Sequence, residues 1–247
     1  MSQKQAVNVD SYRIKDPLLR RALQRPEDRP AAETHDSRNR PVRAPLEVFN
    51  TAMGRVEGLL LLHPEMRGLA GRRKRHVADM LRGGLVLSVA ALDALVLDSV
   101  VAAIPRAEKE GTLERTIARW AKADAESFLA LLGDREPGKK VAELCRRRLG
   151  QPTFHRAEAI EDVIRDVAER NPPWRRAAEI LSVDGKVWND AAVKAKLDEI
   201  VEREHVIAYG GDLLPYSATT RRIQLRYVDG AVRVIRAVGS GVAETLA

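Results

Sequence analysis

The sequence predicts an all-α protein, a helical bundle around one long central helix that follows a flexible basic extension. Three observations predict it. Aromatic residues are only 4% of the 247 residues, so the core must rest on the Ala, Leu and Val that dominate the chain and suit helices. Apolar residues recur at three- and four-residue spacings from Ala44 onward, with no strand-like alternation of useful length and no fixed-period repeat. The 45% hydrophobic content is enough to build a buried core.

Residues 1–43 hold Pro17, Pro26, Pro30 and Pro41 among mixed charges and keep no apolar period, the pattern of a flexible extension; the helical domain spans 44–247. Leu46, Val48, Phe49, Met53, Val56, Leu59, Leu60 and Leu62 make a first helix that Pro64 should end. Arg72 to Ile104 is polar at its start and then apolar nearly all round, as a central helix would be, and Pro105 should terminate it. Helices are expected over Leu113–Leu132, before Gly133, and over Lys139–Leu149, before Gly150. Ala157, Ile160, Val163, Ile164 and Val167 give Phe154–Asn171 an apolar stripe, closed by Pro172-Pro173. A short helix over Trp174–Ile180 follows. Asp184-Gly185 then turns the chain into a helix over Val187–Ala208, which the Gly210-Gly211 pair ends. The last helix is expected over Thr219–Thr245, although Ile223–Val234 carries strand signals as well.

A net charge of +7 and a pI near 9.7 point to anionic partners. Ten basic against six acidic residues over 1–44 put +4 of that charge in the extension. Arg72, Arg73, Lys74 and Arg75 precede the central helix, either solvated or facing a nucleic-acid backbone. The single Cys145 can form neither an internal disulfide nor a cysteine zinc site, and Met1–Asp16 lacks the apolar core of an export signal; a cytoplasmic protein is expected. Leu85–Ile104 approaches the length of a membrane span, yet it carries Asp93, Asp98, Ser88 and Ser99, which favour a buried helix and no membrane.

The chain has no phosphate loop, no paired metalloprotease histidines and no nucleophile-elbow serine, so neither a metal nor a cofactor is expected. His35, His63, His76 and His155 show no metal spacing and receive no role. Polar groups instead crowd the end of the Val187–Ala208 helix. Glu202, His205 and Tyr209 share one helical face, with Asp212 near its far end, and could form a site. Arg203 falls on the Ile200 and Ile207 side, so it joins that stripe only through a local distortion or across a dimer interface. The bland alternatives are an exposed His205 paired with Glu202, and a Tyr209 that only covers the core. Arg82 and Asp93, eleven residues apart on one face, read as structural ion-pairing groups toward neighbouring helices.

The run Ile200-Val201-Glu202-Arg203-Glu204-His205-Val206-Ile207-Ala208-Tyr209-Gly210 resembles the Arg-polar-spacer-His element of HEPN domains, particularly the RiboL-PSP-HEPN-like group, where an Arg is followed by Ile-Ala-His-Gly. Tyr209 stands where that His would be. Asp79-Met80-Leu81-Arg82 with Ala90-Ala91-Leu92-Asp93 looks like the group's long second helix, and Gln151-Pro152-Thr153-Phe154 with Trp174 looks like its middle region. The resemblance covers roughly Ala44 to the C-terminus.

The resemblance implies an all-helical domain that forms homodimers and, in active members, cleaves RNA without metal at a composite Arg and His site, often as an effector with a toxin–antitoxin or antiviral-defence partner. Arg203, His205 and Tyr209 would then be catalytic, supported by Glu202 and Asp212. A base would take the ribose 2′-hydroxyl proton while Arg stabilises phosphoryl charge. Because a phenol is a poor base at neutral pH, His205 would have to replace the missing imidazole. The rival expectation is a catalytically degenerate helical module that binds RNA or a partner protein. A third is a toxin whose Tyr209 is modified by a partner nucleotidyltransferase.

Overall fold

The computed structural model describes residues 44–66, 73–109, 154–168, 172–183 and 187–246. Six helices make up most of them: α1 (Pro45–Met66), α2 (Arg73–Lys109), α3 (Ala157–Ala168), α4 (Trp174–Leu181), α5 (Asp190–Gly210) and α6 (Leu225–Leu246). Among the described residues the only β feature is an isolated bridge between Leu213 and Thr220, so the fold is all-α. The expected extension over 1–43 and the expected helices over 113–132 and 139–149 lie outside the described residues.

The 37-residue α2 is the axis of the bundle, about 55 Å long at 1.5 Å per residue. Leu81, Leu85, Ser88, Leu92, Leu95, Ser99 and Ala103 are buried along one face of it, and Ala91, Val100 and Ile104 extend the burial to its flanks. So wide a buried arc needs apolar residues beyond a single stripe, which this sequence supplies, while a face with Leu87, Ala90 and Ala94 stays exposed. Ser88 satisfies its hydroxyl by donating to the Leu85 carbonyl at 2.7 Å. The segment His76–Ile104 is long and apolar enough to cross a membrane, and 56% of its most apolar window is buried inside the bundle.

Around this axis, α1 buries Phe49, Met53, Val56 and Leu60, spaced four, three and four apart. The apolar face of α6 packs against α1, α2 and α4. Glycine permits the closest approaches: a Cβ on Gly239 would meet Phe49 Cζ at 2.5 Å, and one on Gly241 would meet the Pro173 carbonyl oxygen at 2.6 Å. Acids on other helices tie down the start of α3. Asp93 on α2 accepts the Phe154 N–H, and Asp198 on α5 accepts the Ala157 N–H at 3.0 Å, satisfying donors that a helix start leaves open. Asp93 therefore anchors backbone and does not pair with Arg82.

Four boundaries differ most from the sequence reading. Both prolines expected to end helices lie inside them: α1 continues two residues past Pro64 and α2 four past Pro105. Each proline removes one donor, and the preceding turns are held by buried Leu60 and by buried Val101 and Ile104, so the ladder survives one missing bond. Helix α5 starts at Asp190 because the Asn189 side chain accepts the Ala192 N–H at 2.8 Å, an N-cap that a start at Val187 overlooks. The last helix begins at Leu225 and not at Thr219. Residues 213–224 are drawn into a hairpin-like loop, where the Arg221 N–H donates to the Asp212 carbonyl at 2.7 Å and the Leu214 N–H to the Thr219 carbonyl at 2.9 Å.

Candidate functional site

The C-terminus of α5 shapes the region of interest. Gly211 ends the helix in the left-handed conformation, its N–H donating to the Ile207 carbonyl at 3.1 Å, and Asp212 follows with φ of 61°. Aspartate tolerates this backbone better than most residues, because its short polar side chain bonds locally. The double left-handed turn sends the Asp212 side chain inward, where it is 0% exposed.

Two guanidinium groups meet that carboxylate. Asp212 Oδ2 accepts from Arg82 Nε at 2.8 Å and from an Arg203 terminal nitrogen, also at 2.8 Å. Arg82, itself buried, also donates to the Arg221 carbonyl at 2.7 Å and to Asp79 at 3.1 Å. One arginine of α2 thus fastens both the end of α5 and the loop that follows. A buried carboxylate is tolerable only when paired and hydrogen-bonded in this way. Asp212 Oδ1 has no hydrogen-bond partner among the described residues.

Arg203 sits on the inward side of α5 with Ile200 and Ile207, as helical geometry required, and its side chain is 17% exposed. On its other flank it borders a cavity of about 710 Å³ between α5 and the segment leading into α6. That cavity is lined by Arg203, Arg221, Arg222 and Arg226, by Glu199 and Glu202, and by Val206, Ile223 and Tyr227 among others. A second hollow of about 570 Å³ lies against the same Arg222–Arg226 segment and His63. Among the described residues, none of Arg221, Arg222 and Arg226 has a carboxylate within ion-pair distance, whereas Arg203 is held by Asp212 and Glu202 by Arg156 at 3.0 Å. Burial and the Glu199 carboxylate push the Tyr227 phenol up against the opposing pull of Arg203, so it stays a hydrogen-bond donor. Unpaired forked cations beside a phenol and a short apolar wall suit an anionic ligand carrying a planar group.

Most of the other expected site residues lie elsewhere. His205 and Tyr209 are exposed, their ring centroids 4.5 Å apart, and neither lines the arginine cavity. Glu202 does line it, but its ion-pair partner is Arg156. Asp212 is a buried clamp and not the end of an exposed polar stripe. Arg72 lies outside the described residues; Arg73, Lys74 and Arg75 open α2. The sequence reading missed Arg221, Arg222, Arg226 and Tyr227. Their signal was present as Thr219-Thr220-Arg221-Arg222-Ile223-Gln224-Leu225-Arg226-Tyr227, but a helix assigned from Thr219 hides a loop that gathers arginines.

On a different side of α5, His205 lies near enough to His155 and Glu204 to affect both electrostatically. Burial lowers the His155 pKa; Asp93 opposes this, and Arg156 and His205 add to it. The unfolded chain then takes up a proton near the ordinary value of 6.5 while the folded protein resists it, so this histidine costs stability as pH falls below that value. Glu204 works in the opposite sense, because burial raises its pKa and favours the folded state on acidification. Thermal unfolding of wild type and His155→Gln should therefore diverge between pH 7 and 5, with the variant losing less. Parallel pH profiles would contradict it. No group of three or more metal-ligating side chains occurs among the described residues.

Comparison of the chain with family models, with curated proteins and with solved structures gives no match.

Proposed function

We propose that this chain is a helical RNA-binding module whose arginine-lined cavity grips the phosphodiester backbone, a form of the HEPN-like pattern without its catalytic imidazole. The observation that carries the reading is the trio Arg221, Arg222 and Arg226 bordering one cavity with no acidic partner among the described residues. Unspent guanidinium groups around a hollow recognise phosphate in bidentate fashion. RNA in preference to DNA is carried by the resemblance of the 200–210 segment. Two features favour binding over cleavage. Arg203 is committed to a structural carboxylate, and His205 points away from the cavity that Arg203 borders.

The second reading is a metal-independent endoribonuclease, acting as a homodimer in toxin–antitoxin or antiviral defence. The exposed pair of His205 and Tyr209 rings, tilted against each other at the end of α5, favours it, because a second copy has access to those rings. One experiment separates the two: incubation of the protein with labelled RNA in EDTA. The binding module retains RNA intact, with affinity that falls steeply as salt rises. Strand scission that disappears in Arg203→Ala and His205→Ala would replace the first reading by the second.

A further inference from the structure

Tyr216 is fully exposed at the tip of the loop between α5 and α6, with φ of 56°. A tyrosine in the left-handed region is strained, and here the ring gains no burial in return. The loop that holds it is nonetheless well ordered by hydrogen bonds. Its rungs are Arg221 N–H to the Asp212 carbonyl, the Leu213–Thr220 bridge and Leu214 N–H to the Thr219 carbonyl. The Ser217 N–H closes the tip on the Leu214 carbonyl at 3.1 Å. Its root is the buried Asp212 clamp, and the Arg221 carbonyl accepts from Arg82. Strand spacing of about 3.3 Å per residue puts the tip roughly 10 Å beyond Arg221, the first of the three arginines that line the cavity without a carboxylate partner among the described residues.

We infer that this hairpin reads unpaired bases: Tyr216 stacks on one base of a single strand while Arg221, Arg222 and Arg226 hold the phosphates that follow it. The inference rests on the proposed RNA-binding reading and narrows its substrate to single-stranded RNA. Stacking platforms beside a cationic groove bind strands of about four nucleotides or more without needing base-specific hydrogen bonds, because every base offers a flat face. A duplex interior offers Tyr216 no such face, since its bases are already stacked on one another.

The test is fluorescence anisotropy with a labelled single-stranded oligoribonucleotide and with a blunt duplex of equal length, on wild type, Tyr216→Gly and Tyr216→Phe. Glycine accepts the positive φ, so Tyr216→Gly removes the ring without lowering the unfolding midpoint. Single-strand affinity should fall roughly 5- to 100-fold in Tyr216→Gly, stay within about twofold in Tyr216→Phe, and duplex affinity should change less than about twofold in either. Equal losses on both RNAs, or a silent Tyr216→Gly, would overturn the inference while leaving RNA binding intact. A silent Tyr216→Gly that instead abolishes self-association in sedimentation would make the tip a protein contact. Wild-type protein that binds neither RNA overturns the underlying reading as well.

Discussion

Asp212→Ala is expected to destabilise the protein by about 3–5 kcal/mol, the usual cost of removing one partner from a buried ion pair. The substitution leaves Arg82 and Arg203 without their shared carboxylate, although Arg82 keeps Asp79 and the Arg221 carbonyl. Alanine also fits the φ of 61° poorly, which adds strain. The unfolding midpoint should drop by roughly 6–20 °C for a protein of this size. Asp212→Asn keeps the shape and the accepting oxygen but removes the charge, and its amide would fall at the Oδ1 position, which makes no hydrogen bond among the described residues; it should lose less than alanine. Because the residues act as one unit, Arg82→Ala with Asp212→Ala should cost clearly less than the sum of the single changes. Additive losses would show that the clamp is not a unit.

Trp174→Ala should cost a comparable amount, about 3–5 kcal/mol, through the loss of a large buried ring. Helix α4 has eight residues, too few to be stable alone, and it is held by Trp174, Ala177 and Ala178. The indole is 2% exposed and donates to Glu161 of α3 at 2.6 Å, while Lys194 of α5 meets the same carboxylate at 2.9 Å. Burial alone would raise the Glu161 pKa, but the hydrogen bonds from Lys194 and Trp174 outweigh it and hold the carboxyl below its usual range. That contribution is present at neutral pH and is lost only as pH falls through the depressed folded value. Trp174→Phe should recover much of the packing without the hydrogen bond and fall between wild type and alanine. Equal melting of Trp174→Ala and wild type would refute the role given to this residue.

The bundle was legible in the sequence because aliphatic periodicity is written wherever a helix must bury one face. The broad burial of α2 was readable from Leu85–Ile104, although a face with Leu87, Ala90 and Ala94 stays exposed, and the inward side of Arg203 was readable from its register with Ile200 and Ile207. Periodicity could not show which long-range partner a buried charge takes. Arg82 read correctly as a structural ion-pairing group, yet its partner lies 130 residues away, beyond a left-handed turn that periodicity does not encode. The arginines of the cavity were invisible for a related reason. A helix beginning at Thr219 would already put Arg222 and Arg226 on one face, but only the hairpin rooted at Asp212 brings Arg221 and Arg203 to the same hollow. The stripe expected from Glu202, His205, Tyr209 and Asp212 is divided: Asp212 lies past the helix end and turns inward, and Glu202 is drawn to Arg156.

The salt dependence of single-stranded RNA affinity, compared between wild type and the Arg222→Ala, Arg226→Ala double variant, tests the central claim most directly. Both side chains lie at the surface of the loop and the first turn of α6, so their removal should leave the unfolding midpoint nearly unchanged. If they hold phosphates, the double variant binds more weakly across RNA sequences, and the slope of log affinity against log salt is shallower by about 2, near 1 for each lost contact. An unchanged affinity and an unchanged slope in a correctly folded double variant would contradict the assignment of this cavity to RNA.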